Sequence, residues 1–318
     1  MSAGGCSSSI TVGGEGSAAT ATGGQPQRVP FSYEVFPARS SAAALALGHT
    51  VQHLAASGPE FISVTYGANG SSRDASLDLL KYIKQHTEAR PLAHLTSIGS
   101  SKAEIEQLVA DFWQAGVYDF LALRGDPPRG VSEADVELGE VPNTVEFVDL
   151  IQSILKRQSG ATGRVCIAAF PNKHPRSETI NDDINVLLAK QDAGAAFAIT
   201  QLFFHADDYL RFVDAASRAG VRIPILPGLM PVSTSAQLLK VAELAGEQAP
   251  DDLLARLEAA GGYGPECGVE HTVGLASRLV SEGAPGIHLY TFNRHQSVLA
   301  VLRELGLLTN HPFEKELA

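Results

Sequence analysis

The chain has 318 residues, is 44% hydrophobic and carries a formal net charge of −11. It can therefore bury a sizeable core, and α/β barrels reach this length undivided. The acidic balance argues against a nucleic-acid partner and against attraction to an anionic membrane, and no apolar run approaches a membrane span.

Residues 1–28 are rich in Gly, Ser, Ala and Thr, with few apolar side chains to anchor them. They lack the basic start and apolar centre of a secretory signal and are expected to be a disordered tail. The remainder, 29–318, reads as one domain. Its short β-branched or aromatic runs are "FSYEVF" (31–36), "FISVTYG" (61–67), "PLAHLTSI" (91–98), "FLALRG" (120–125), "RVCIAAFP" (164–171), "FAITQLFF" (197–204), "RIPILPGL" (222–229) and "GIHLYTF" (286–292). Helical patterns lie between them. One puts Leu77, Leu79, Leu80 and Ile83 on one side; another gathers Ile105, Leu108, Val109, Phe112 and Trp113 and stops at Gly116. A third ends on Gly220. Alternation of this kind indicates a parallel sheet covered by helices, and about eight units predict a closed (β/α)₈ barrel. The competing doubly wound sheet is disfavoured because no GxGxxG follows the first strand. The stretch from Pro231 to Gly283 is too long for one helix and predicts extra helices before the last strand. Cys6, Cys166 and Cys267 are far apart and form no CxxC pair, so reduced thiols in a cytoplasm are expected, with Cys166 as a small core residue.

In a parallel barrel the C-terminal strand ends share one face, where active sites are built. Those ends carry Glu34, Thr65, Tyr66, His94, Arg124, Asp126, Gln201, His205, Tyr290, Asn293 and Arg294. The run "FLALRGDPPRG" is typical: an apolar strand delivers Arg124 and Asp126 around Gly125 and is then stopped by two prolines. Each residue alone also has a structural explanation. Glu34 pairs equally well with Arg39 on the rim, His94 suits a hydrogen-bonded core position, Asp126 suits an Asx turn, and Gln201 can fill a barrel layer. It is their accumulation at one face that points to a pocket. The histidines show no metal-ligand spacing, and no Ser or Cys stands beside a positioned base. From the residues alone, this is a barrel enzyme with two carboxylates in its pocket.

The ordered set "SYEVFP", "FISVTYGANGSSRD", "HLTSIG", "FLALRGDPP", "FPNKHP", "DAGAAFAITQLFF", "PILPGLMPVS" and "HLYTFNR" closely resembles the catalytic barrel of the methylenetetrahydrofolate reductases, from about Phe31 to about Leu307. The resemblance implies a (β/α)₈ oxidoreductase of one-carbon metabolism and methionine supply. Such enzymes carry hydride from NADH or NADPH, via FAD, to 5,10-methylenetetrahydrofolate, giving 5-methyltetrahydrofolate. It further implies a cytoplasmic protein, self-association into a homo-oligomer, and no control by the C-terminal regulatory domain of eukaryotic members.

By the same resemblance Glu34 is the general acid that protonates N10 of the folate, and Asp126 stabilises the resulting N5 iminium between flavin and pterin. Gln201, Tyr290 and Arg294 join Asp126 as substrate contacts. Thr65, Tyr66, Ala68, His94, Arg124, Gly125, Asp126, Ala168, Phe170, His174, Asp183 and Lys190 occupy flavin-site positions. Departures gather around the cofactor: Asn143 and Thr144 replace a tyrosine–alanine pair, Phe170 a tyrosine, Val186 and Ala189 an asparagine and an arginine, and Ser235 an aromatic cover. They raise two alternatives, direct hydride transfer without flavin and a non-catalytic folate- or flavin-binding subunit. Another flavin barrel, such as proline dehydrogenase, matches the ordered motifs less well.

Overall fold

The computed structural model describes residues 29–66, 70–127, 131, 135 and 138–308. The expected tail lies outside the described residues. Among these residues nine short parallel strands form the sheet: β1 (Phe31–Val35), β2 (Ile62–Val64), β3 (Pro91–Thr96), β4 (Asp119–Leu123), β5 (Arg164–Ala169), β6 (Phe197–Thr200), β7 (Ile225–Leu226), β8 (Gly228–Leu229) and β9 (Ile287–Tyr290). Their order is β7-β6-β5-β4-β3-β2-β1-β9-β8. β7 pairs with β6 and β8 with β9, so Pro227 between them joins the two ends of the ladder. A proline has no N–H to give a ladder, which is why the seventh stave is split. Its carbonyl still accepts from the His288 N–H at 2.9 Å, and the Thr200 hydroxyl accepts from Gly228 N–H at 2.8 Å. The (β/α)₈ barrel expected from the pattern is thus present, with its seventh strand in two pieces.

Among the described residues ten helices surround it: α1 (Ser41–Ala56), α2 (Gly70–His86), α3 (Lys102–Gln114), α4 (Thr144–Lys156), α5 (Ile180–Asp192), α6 (Ala206–Ala219), α7 (Ser235–Ala245), α8 (Asp251–Ala259), α9 (Pro265–Ser281) and α10 (His295–Glu304). Local signals set their ends. Ser101 and Glu104 form a reciprocal cap on α3, and Gly220 ends α6 at φ 104°. α7, α8 and α9 are the extra helices before the last strand. A side chain at Gly268 would meet the Val232 carbonyl oxygen, so the α9 backbone lies directly against the chain leaving β8.

Alternating strand residues face two different cores. Tyr33, Val35, Ala93 and Leu95 pack outward with helix residues such as Val51, Leu54, Leu80 and Ile83. Phe61, Leu92, Leu121, Cys166, Phe197 and Ile199 pack together as the barrel interior. No helix among the described residues is long and apolar enough to cross a membrane.

Candidate active site

Because Tyr33 and Val35 face the helices, Glu34 between them points into the barrel; by the same alternation His94 points inward between Ala93 and Leu95. The two side chains meet, Glu34 Oε2 lying 3.5 Å from His94 Nε2. The Glu34 side chain keeps 18% of its exposure and the His94 side chain 6%. Burial pushes the Glu34 carboxyl up to about 8 and the His94 imidazole down to about 3. Near neutral pH the contact therefore joins a protonated acid to a neutral ring and is no ion pair. The rim pairing with Arg39 does not form; the carboxyl lies against the His94 ring instead, without a hydrogen bond between them.

The strand end bearing Glu34 is pinned from β9. Thr291 Oγ1 donates to the Glu34 carbonyl at 2.7 Å, while the Asn293 amide accepts from Phe36 N–H at 2.9 Å and donates to the Phe36 carbonyl at 2.8 Å. Asn293 does this at φ 57°, in the left-handed region that asparagine tolerates better than most residues. The Tyr290 hydroxyl donates to the Thr200 carbonyl at 2.8 Å, so its ring forms a wall of the site with its proton already committed. Gln201 follows β6 half-buried, its side-chain oxygen accepting from Leu202 N–H at 2.8 Å. Arg294 is exposed at the start of α10. His205 is not brought to this group: exposed at the start of α6, it lines a separate cleft with His271 and Arg278.

Arg124, Gly125 and Asp126 leave β4 through a tight turn. Gly125 has φ +90°, and a Cβ there would stand 2.8 Å from Ile98 Cγ2 and 2.9 Å from Thr96 Cβ, so only glycine fits. Asp126 is exposed and Arg124 half-buried; the Arg124 carbonyl is held by Ile98 N–H at 2.9 Å. Thr65 and Tyr66 are half-buried after β2, and Ala68 lies outside the described residues.

Beside this turn opens a cleft of about 580 Å³ lined by Arg124, Asn143, Thr144, Ala168, Phe170, His174, Arg176, Asp183, Val186 and Lys190 among others. Lys190 is only 7% exposed, and burial lowers its ammonium to about 8, opposed by the Asp183 charge. Asp183 itself accepts from His174 N–H at 2.8 Å and from the Ser177 hydroxyl at 2.7 Å, fixing the loop that brings His174 in. Phe170 meets His174 edge-on at 4.6 Å. Asn143 caps α4, accepting from Val145 and Glu146 N–H at 3.1 and 3.0 Å. The substitution of a tyrosine here thus supplies a helix cap. A buried lysine beside Arg124, Arg176 and His174 suits a phosphate-bearing ligand, so the cleft fits the pyrophosphate of a flavin dinucleotide.

Comparison with known proteins gives this arrangement its context. The methylenetetrahydrofolate reductase profile matches residues 22–306. The chain belongs to the methylenetetrahydrofolate reductase family. It is 33% identical to the 5,10-methylenetetrahydrofolate reductase of Pectobacterium carotovorum, over 88% of this chain and 91% of that one. It is 30% identical to methylenetetrahydrofolate reductase (NADH) 1 of Zea mays, over 88% of this chain and 49% of the maize protein. A Clostridium thermocellum protein that binds two copies of 5-methyl-5,6,7,8-tetrahydrofolic acid superposes with a TM-score of 0.61 at 12% identity, covering 87% of this chain and 94% of its own, and so shares the fold.

Reading the strands as continuous apolar runs missed several inward polar groups of this family member: Ser32, Ser63 and His288, all buried. The signal was present as an alternation, Ser32 with Glu34 on β1 and His288 with Tyr290 on β9. Residues two apart share a face, so an inward Glu34 implies an inward Ser32.

Proposed function

We propose that the protein reduces 5,10-methylenetetrahydrofolate to 5-methyltetrahydrofolate with hydride from a reduced nicotinamide cofactor. The observation that carries this reading is the placement of the Glu34 carboxyl inside a barrel of this family, 3.5 Å from His94 at the active face, where burial pushes it up to about 8. In the proposed reaction Glu34 gives its proton to N10 of the folate. The five-membered ring then opens to the N5 iminium, a far better hydride acceptor than the closed ring. A positioned acid of matched pKa contributes on the order of 10²–10⁴ in rate. The Asp126 carboxylate stabilises the cation, Gln201 orients the pterin, Tyr290 shapes the pocket wall, and exposed Arg294 meets the negatively charged tail. Arg124, His174, Asp183 and Lys190 hold FAD in the cleft beside Asp126, with Thr65, Tyr66, Gly125, Ala168 and Phe170 as further contacts. When bound, the flavin serves as a hydride carrier between nicotinamide and folate.

The test is turnover of 5,10-methylenetetrahydrofolate with NADH and with NADPH, with and without added FAD, alongside the visible spectrum of the gently purified protein. Bound flavin bleached by the nicotinamide and recoloured by the folate is the expected result. Full turnover with neither bound nor added flavin favours direct hydride transfer instead, in line with apolar Phe170 and Val186 on the cleft wall. Absence of turnover under all conditions overturns the reading.

A further inference from the structure

The floor beneath Glu34 holds three buried polar atoms with no hydrogen-bond partner among the described residues: Ser63 Oγ, His94 Nε2 and His288 Nε2. They come from β2, β3 and β9, on either side of the strand that carries the acid. Ser63 is the register partner of Glu34 on β2 and shares its face, and His94 Nε2 stands 3.5 Å from Oε2. His288 is the register partner of Ser32, two residues before Glu34, so it occupies the layer just below. The Ser32 hydroxyl meets His288 Nδ1 at 2.8 Å, and the ring is held between Phe61, stacked at 5.7 Å, and Tyr290, edge-on at 5.2 Å. With Nδ1 engaged by Ser32, Nε2 is left facing the interior. Burial depresses His288 to about 3, and the nearby His94 adds to the effect, so both rings stay neutral and each keeps one donor and one acceptor nitrogen.

Three orphaned polar atoms in one apolar interior are costly, and buried water with two to four polar partners is the usual remedy. We propose that Ser63, His94 and His288 hold ordered water beneath Glu34, and that this polar floor engages Oε2 so that the carboxyl carries its proton on Oε1, toward the mouth of the barrel. Ser63 and His288 are then positioning residues for the acid. The inference about the proton rests on the reading of Glu34 as general acid; the inference about water does not. The inward ionisable groups are His94 on β3, Asp119 on β4, Arg164 and Cys166 on β5, and His288 and Tyr290 on β9, with Arg124 and Asp126 at the rim. Asp119 is paired at the far end with Arg90 and Arg164, which leaves the two histidines, Tyr290 and Cys166 as the ionisable groups of the interior around Glu34, with Arg124 and Asp126 at its rim.

The test has two arms. A high-resolution crystal structure of the unaltered protein should show water within hydrogen-bond reach of Ser63 Oγ, His94 Nε2 and His288 Nε2; a dry interior overturns the proposal whether or not the protein turns over folate. Kinetically, Ser63→Ala and His288→Phe, the latter keeping the ring stack, should lower kcat roughly tenfold with KM for the folate unchanged. The alkaline limb of kcat should move upward, since the carboxylate loses a donor. His288→Gln, which keeps a donor and an acceptor, should recover part of the loss and guards against a folding defect in the phenylalanine variant. Folded variants with unaltered kcat and limb overturn the positioning role. Water in place in a protein that does not reduce methylenetetrahydrofolate would leave the hydrated floor standing and remove the function instead.

Discussion

The acid at Glu34 is made by place, not by a partner charge. Its only ion-pair-range neighbour among the described residues is His94, which burial keeps neutral, so desolvation alone raises the carboxyl to about 8. Replacing Glu34 with Gln keeps the shape and removes the proton. Folate reduction measured at neutral pH should fall by about 10²-fold or more while substrate affinity, followed by equilibrium titration, changes little. In the unaltered protein kcat should decline as pH rises through about 8, where the acid form is lost. A flat kcat across that range would take Glu34 out of the proton-donor role.

At the scale of elements, what holds the acid is the junction of β1 and β9, where Asn293 stands in for a strand by bonding both sides of Phe36. Asn293→Ala loses both bonds and the tolerance for φ 57°, so a loss of about 1–3 kcal/mol is expected in denaturant unfolding, with kcat reduced because the Glu34 strand end loosens. Asn293→Gly keeps the backbone freedom and should recover part of the stability but not the activity. This junction also marks the limit of what the sequence disclosed. The strand–helix alternation, the helix faces around Leu80 and Phe112, and the extra helices before β9 were legible because each rests on a local period. The polar strand ends were legible as a set because parallel strands share one face. The partners were not: that Glu34 meets His94 and not Arg39, or that Tyr290 spends its hydroxyl on Thr200, depends on register and strand tilt between distant segments. The break at Pro227 was visible as a residue, yet its consequence, a stave shared between two ladder ends, belongs to barrel closure.

For the molecule as a whole, the buried titratable groups of the barrel set opposing pH limbs of stability. Glu34 binds its proton more tightly when folded than when unfolded. Its stabilising contribution is therefore complete below its ordinary value of 4.5 and is lost as pH rises toward about 8. His94 and His288 behave oppositely. Each is held neutral in the fold, so each contributes fully above 6.5 and loses that contribution as pH falls toward about 3. A full unit of pH in either window changes stability by about 1.4 kcal/mol per group. Between 4.5 and 6.5 the two histidines together outweigh the single carboxyl, and above 6.5 the carboxyl acts alone, so these three groups place the stability maximum near pH 6.5. Denaturant unfolding as a function of pH should show that maximum. Glu34→Gln should remove the decline between 6.5 and 8, gaining on the order of 1–2 kcal/mol over the unaltered protein across that window, and should steepen the acid limb between 4.5 and 6.5, where the carboxyl no longer opposes the histidines. An alkaline limb that persists unchanged in Glu34→Gln would mean that the carboxyl is already ionised in the folded barrel. The burial argument for its acidity, and with it the proton source of the proposed reaction, would then have to be abandoned.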